Sequence, residues 1–243
     1  MLTPLLIATA SLAGRRWGHA ISGWLVGIPF TSGPITLFLF LDHGAAFATN
    51  AAVGSMLGIF ATIAWAVAYC ALARRGAGLL PCMLAGLAVF AVVGTAVHEL
   101  AIAPLVLYAV LVIVLLVAIR LIPLSFTHDG VRMPWWDLPA RMILATALVL
   151  GITGSATMLG PRLAGLLATI PLYASILAGF GHTRVGPRAA IDVWRGLLFG
   201  LFGFGAFYLS LALSLEPLGP TAFAVAIAAA VVMQAVTLQV MRR

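Results

Sequence analysis

From Leu100 to Ile119 the chain carries no charge, and Glu99 and Arg120 bracket the run. A stretch of that kind, almost purely aliphatic through Leu111-Val112-Ile113, matches the roughly 20 apolar residues that a helix needs to cross about 30 Å of hydrocarbon. Similar runs recur along the chain between arginines, glycines and prolines. Only 8% of the residues are charged and 63% are hydrophobic, whereas a soluble domain carries about 25% charged residues. The chain therefore reads as an integral membrane protein. The runs are continuous and lack two-residue alternation, which selects helices over a barrel.

This pattern predicts an all-α protein of about nine transmembrane helices, roughly 1–14, 20–41, 47–73, 78–97, 101–120, 139–158, 161–181, 189–214 and 218–240. All 13 basic residues are arginine and the net charge is +7. The arginines fall between apolar runs, so positive-inside bias explains them better than nucleic-acid binding does. With the N-terminus outside and the C-terminus inside, alternate loops place every arginine except Arg162 on the cytoplasmic side. Adding or losing a central helix destroys that asymmetry. Asp42, Glu99 and Glu216 then fall outside. Met1 to Gly14 lacks the positive n-region of a signal peptide and reads as a retained first helix. It is short for a span, so either the helix is partial or the start lies upstream. Pro134-Trp135-Trp136-Asp137, within the polar segment 123–138, suits an interfacial anchor.

Two runs are interrupted. Gly27-Ile28-Pro29-Phe30-Thr31-Ser32-Gly33-Pro34 breaks the second helix, and Thr169-Ile170-Pro171-Leu172-Tyr173-Ala174-Ser175 breaks the seventh. Proline removes a backbone donor, so the carbonyls of Leu25 and Phe30 are expected to lose their helical partners. In hydrocarbon such groups need a neighbouring helix, a hydroxyl or a water-lined cavity. Interrupted helices at matching places in two halves of a chain point to a transporter's binding site.

The halves do match. Pro29 and Pro171 lie 142 residues apart, and the same offset pairs Gly18 with Gly160, Gly23 with Gly165 and Ile28 with Ile170. Beyond the break, after a shorter loop, Ala51-Ala52-Val53 pairs with Ala189-Ala190-Ile191 and Gly58 with Gly196. The expected organisation is 4+1+4: a first repeat over 1–100, a connector helix and cytoplasmic linker over 101–138, and a second repeat over 139–243. Five helices separate the repeat starts, so the copies insert with inverted topology.

Leu163-Ala164-Gly165-Leu166 with Pro171, then Arg195-Gly196 and Tyr208, resembles the small four-helix GlpM-like bacterial membrane proteins. The resemblance covers about 100 residues and implies a duplicated four-helix unit. It carries over no catalytic residue. Gly33-Pro34 has no counterpart at Ser175-Ile176, so the two breaks need not act alike.

The candidate substrate-binding residues are Pro29, Thr31, Ser32, Pro34, Thr36, Thr169, Pro171, Tyr173 and Ser175, hydroxyls and freed carbonyls at mid-membrane depth. The alternative is that these prolines are packing kinks whose carbonyls nearby hydroxyls satisfy. Asp42, His43, His98 and Glu99 set carboxylates beside imidazoles at outer helix ends, either a proton or cation relay or ordinary solvated loop residues. Arg184, Arg188, Asp192 and Arg195 form a cytoplasmic charged patch. Asp192 and Arg195 share a helix face, as a structural pair or as part of a phosphate-seeking surface. Gly54-x-x-x-Gly58 and Gly196-x-x-x-Gly200 permit close helix contact, within the chain or in a homo-oligomer.

No ionisable residue is expected at mid-membrane depth, which argues against a voltage sensor or a pump coupled through a buried carboxylate. No His-Glu-x-x-His or Ser/His/Asp grouping supports an enzyme. Cys70 and Cys82 read as buried free thiols, and nothing calls for a metal or cofactor. The expected partners are the lipid bilayer and an unknown small solute, with no nucleic acid. The expected function is a multi-pass transporter of the bacterial inner membrane for a small polar or amphiphilic solute. The alternative is a non-transporting scaffold for envelope assembly.

Overall fold

The computed structural model describes residues 19–30, 32–122 and 154–241, with isolated positions between 139 and 151. The expected first helix, Thr31, the polar segment 123–138 and Arg242-Arg243 lie outside the described residues. In chain order the helices are α1 (His19–Val26), α2 (Ser32–His43), α3 (Ala45–Arg74), α4 (Leu79–Val97), α5 (Pro104–Leu121), α6 (Ala156–Leu167), α7 (Leu172–Arg184), α8 (Pro187–Leu218) and α9 (Ala222–Met241). No strand occurs among the described residues.

The breaks expected at Pro29 and Pro171 are both present, dividing α1 from α2 and α6 from α7. The expected nine spans are not. Among the described residues, Ala45–Arg74, Leu79–Val97, Pro104–Leu121 and Pro187–Met241 are long and apolar enough to cross a membrane. The pair Thr157–Leu167 and Leu172–Arg184, bent by 44°, makes a fifth if it counts as one span. The expected first helix and most of the expected sixth, 139–158, lie outside the described residues. For the expected second, geometry is the reason: at 1.5 Å per residue α1 covers only about 12 Å and α2 about 18 Å, each short of the hydrocarbon thickness. The last stretch is two helices, as the expected eighth and ninth: Gly219, at φ +55°, turns the chain so that α9 packs along α8.

Helices α3 and α8 form the centre. Between them they contact every other described helix: α3 packs on α2, α4, α5 and α6, and α8 on α1, α5, α7 and α9. They also pack on each other, and the largest fully buried side chains, Trp194, Tyr69 and Tyr208, belong to them. They run antiparallel. Arg74 ends α3 and Arg195 lies near the start of α8, yet both donate to carbonyls at the C-terminal end of α5 (Leu121 for Arg74; Ile119 and Ile122 for Arg195). At the opposite end of α5, Arg162 Nη1 reaches the carbonyls of Glu99 and Leu100 at 3.5 Å. Arg74 and Arg195 thus lie at one end of α5 and Arg162 at the other.

Around this centre α4, α5 and α9 expose apolar stripes, among them Leu84, Leu87, Val110, Ile113, Val117, Val232 and Val236. Exposed stripes on helices long enough to cross a bilayer mark a membrane protein.

Contacts recur 142 residues apart throughout. Gly44 (φ +84°) starts α3 and Gly186 (φ +126°) starts α8, each in a backbone region that side chains rarely adopt. Gly23 lies against Val193 O and Gly165 against Ala51 O; Gly196 lies against Ala20 O and Gly54 against Arg162 O. Gly200 meets Trp24 O and Gly27, while Gly58 meets Leu166 O and Thr169. Every member of these pairs is displaced by 142. This corrects the shorter-loop alignment: Gly196 corresponds to Gly54 and Gly200 to Gly58. The turn glycines hold the register without a deletion. Both Gly-x-x-x-Gly faces are occupied within the chain, by α6 and α1.

Candidate binding site between the broken helices

The backbone of the two breaks is the same structure. Gly27 and Thr169 donate to Trp24 and Leu166 at 3.1 and 3.0 Å, and Ile28 and Ile170 to Leu25 and Leu167 at 3.1 Å each. Phe30 N–H then turns to Ile28 O at 2.7 Å, and Leu172 N–H to Ile170 O at 2.8 Å. Pro171, at φ −80° and ψ 55°, shows the inverse γ-turn that such an i→i+2 bond closes. Gly33 donates to Pro29 O at 3.0 Å, and Ser175 to Pro171 O at 2.9 Å, starting the next helices.

One sequence expectation changes here. Leu25 O regains a partner, Ile28 N–H, although Pro29 offers none. Pro34 follows Gly33, whose N–H bonds Pro29 O, so its missing N–H deprives Phe30 O of the next bond of that series, as expected. The carbonyls of Val26 and Ala168 also lose their helical donors, because the N–H groups four residues on, of Phe30 and Leu172, are drawn into the γ-turns.

Between the breaks lies a cavity of about 40 Å³, room for a few waters. Val26, Ile28 and Ser32 line it from the first break, Ala168 to Tyr173 from the second, Thr62 from α3, and Leu197, Leu201 and Phe204 from α8. Val26 and Ala168, Ile28 and Ile170, and Thr62 and Phe204 are 142-residue pairs. The ends of four half-helices therefore meet at one small space.

Of the expected binding residues, Ser32, Thr169, Pro171 and Tyr173 line the cavity. Ser32 is 1% exposed, and its Oγ makes no hydrogen bond of normal geometry. Thr169 Oγ1 donates to Leu166 O at 2.6 Å. Pro29, Pro34 and Ser175 shape the breaks but do not line the cavity; Ser175 Oγ is buried without a hydrogen-bond partner elsewhere in α7. Thr36 is buried one turn past Ser32, with Oγ1 on Ser32 O at 3.0 Å and 3.4 Å from the Tyr208 hydroxyl. Thr31 lies outside the described residues.

Three residues join this set that residue-by-residue reading left out. Thr62 Oγ1 bonds Thr169 O at 3.0 Å, tying α3 to the second break. Ser55 Oγ donates to Gly165 O at 3.0 Å. Tyr208, fully buried, faces Ser32, Thr36 and Ser55 through its hydroxyl. Gly54, Gly58 and Thr62 follow at intervals of four and share a helix face, so Thr62 was findable as the next member of the glycine motif.

The other clusters are separate from this space. Asp42 is exposed and the His43 ring lies 4.6 Å from that of Phe47. His98 Nδ1 contacts Thr95 O at 2.8 Å and Nε2 lies 3.0 Å from exposed Glu99. None of the four lines the cavity. The charged patch expected from the sequence divides: Arg184 and Arg188 are exposed, while Arg195 turns inward to the end of α5 and Asp192 is buried at 4% exposure. Arg195 thereby satisfies carbonyls that the helix end leaves open. Cys70 and Cys82 are free and buried, as expected. No group of three metal-ligating residues occurs among the described residues.

Comparison with protein-family models, with curated proteins and with solved structures gives no match.

Proposed function

We propose that the chain is a transporter of the bacterial inner membrane, built as an inverted 4+1+4 repeat, N-out and C-in, that moves a small neutral polar solute past the paired breaks. The observation that carries this reading is the cavity between two identically bonded breaks on antiparallel α3 and α8. Half-helices meeting near the midplane at a repeat interface are a recurrent arrangement for solute sites. A space of about 40 Å³ is too small for an organic solute, so on this reading transport requires rocking of one repeat against the other to enlarge it. The GlpM-like resemblance of the second half belongs to the same proposal, as the source of the duplicated unit.

One observation favours the scaffold reading: glycines of α1, α3, α6 and α8 bring backbones into direct contact beside both breaks. Proteoliposomes separate the two. Swelling after a jump in glycerol, urea or sucrose, followed by light scattering, is expected to be faster than in protein-free vesicles for at least one of these solutes, and to be lost in Ser32→Trp. Identical rates for every solute would sink transport of this class and leave the scaffold.

A further inference from the structure

The contact between Tyr69 and His182 belongs neither to the cavity nor to the ends of α5. Tyr69, on α3, is fully buried, and its hydroxyl has a single hydrogen-bond partner among the described residues, Nδ1 of His182 in the last turn of α7, at 2.8 Å. Trp194 covers the Tyr69 ring from α8, with centroids 5.4 Å apart. The imidazole also bonds the backbone carbonyl of Ala77, in the turn between α3 and α4. Cys82, in the first turn of α4, meets that same carbonyl through Sγ at 3.6 Å. One ring thus ties the end of α7 to α3 and to the α3–α4 turn.

This wiring suits a neutral ring. A neutral imidazole accepts at one nitrogen and donates at the other, so Tyr69 donates to Nδ1 and Nε2–H is left for Ala77 O. An imidazolium donates at both nitrogens. A proton on Nδ1 therefore faces Tyr69 Oη and leaves the phenol hydrogen buried without an acceptor, which costs the contact its stability. The ionisable groups on the surrounding helices are Cys70 on α3 and Cys82 on α4, both beside Tyr69, with His19 on α1 and Asp192 on α8. Arg74, Arg75, Arg184 and Arg188 stand exposed at the rim, and Arg195 is turned to α5. Among the described residues none of these pairs with the ring to offset its charge.

His182 is half-buried and followed by exposed Thr183 and Arg184, so protons from water reach it while Tyr69 stays dry. Nor is the pair a requirement of the fold. At the 142-residue offset Tyr69 and His182 correspond to Leu211 and Phe40, and Phe40 instead packs edge-on against Phe223, with centroids 6.0 Å apart. The titratable tie is present in one half only. We infer that His182 is a proton-binding site that works as a latch: neutral, it holds α7 and the α3–α4 turn on Tyr69, and a proton taken up near neutral pH, where histidine titrates, loosens them. The inference goes beyond the transporter reading and does not depend on it.

The test uses the full chain purified in detergent and reads the native thiols, both buried beside the latch. Modification of Cys70 and Cys82 by 4,4′-dithiodipyridine, which reacts with thiols in acid as well as in base, is followed by peptide mass spectrometry from about pH 8 to about pH 5. Each rate is divided by that of the same thiol in the unfolded chain at the same pH, which removes the thiol's own ionisation. In the wild type the ratio at Cys82 is expected to rise roughly tenfold on acidification, along a single-proton curve, as local opening exposes it. His182→Gln, whose amide accepts from Tyr69 and donates to Ala77 without titrating, should stay low at every pH. Tyr69→Phe should already be raised at the alkaline end and change little below it. Ser55→Cys, buried on α3 about four turns from Tyr69, should stay protected throughout. A flat ratio in the wild type would overturn the latch, as would the same rise in His182→Gln, wild-type behaviour in Tyr69→Phe, or an equal rise at Ser55→Cys, which would mean that acid loosens the whole bundle. No solute enters the measurement, so vesicles that move none of the tested solutes would sink transport and leave this result standing.

Discussion

At the first break Phe30 and Gly33 donate to Ile28 and Pro29; at the second, Leu172 and Ser175 donate to Ile170 and Pro171. Yet Ser32, Thr36 and Tyr208, which cluster at the first break, stand where the other half has Ala174, Ala178 and Ala66. Conversely Thr169, tied to Thr62 at the second break, stands where the first has Gly27. The backbone is common because a proline preceded by isoleucine fixes the turn in both. Side chains differ because each break packs against a different face of the α3–α8 centre. A shared backbone with unlike side chains gives two hinges of one geometry and a cavity that is polar on chosen walls only.

The comparison breaks first at the glycines. A Cβ at Gly165 would collide with the backbone of Ala51 and Ser55, and one at Gly196 with that of Ala20 and Trp24. Gly165→Leu and Gly196→Leu should therefore each destabilise by more than about 3 kcal/mol and abolish recovery of monodisperse protein by size-exclusion chromatography. If one is tolerated, the two packings are not equivalent. Thr62→Val comes next. It removes the tie to Thr169 O inside a buried site, at about 1–3 kcal/mol, read as a lower unfolding midpoint. Tyr208→Phe should cost about 1 kcal/mol and affect only the first break, since the matching position is already Ala66. Hydrogen exchange at Phe30 should quicken while that at Leu172 stays as in wild type.

The positions of both breaks were legible in the sequence because proline acts locally and needs no tertiary knowledge. The offset of 142 was legible from Pro29 and Pro171, but its continuation past the turn was not. Weak alanine matches at 189–191 suggested a deletion, and only the contacts of Gly54 with Arg162 O and of Gly196 with Ala20 O restore the register. The count of spans failed where an interrupted apolar run was counted as one span, as at Ala20 to Leu41, where Pro29 leaves two short pieces. The cavity's walls from α3 and α8 were hidden because Thr62 and Phe204 are ordinary residues of long apolar helices until packing brings them together.

The smallest effects sharpen the comparison by exclusion. Ser32→Ala should change stability by less than about 0.5 kcal/mol, because its hydroxyl makes no hydrogen bond of normal geometry. His98→Ala, half-buried, and Glu99→Gln, exposed, both outside the cavity lining, should stay within the same limit and leave any flux unchanged, measured in the same vesicles.

The most direct measurement of the central claim uses Ser32→Cys and Tyr173→Cys, one facing the cavity from each break, in a background with Cys70→Ala and Cys82→Ala. Each is exposed to a membrane-impermeant maleimide from either side of oriented vesicles. The account predicts that both positions label, and that a solute moved in the swelling assay shifts the side from which each is reached. Protection of both cysteines from both sides, in protein that elutes as a folded species, would contradict it and leave the two breaks as packing kinks.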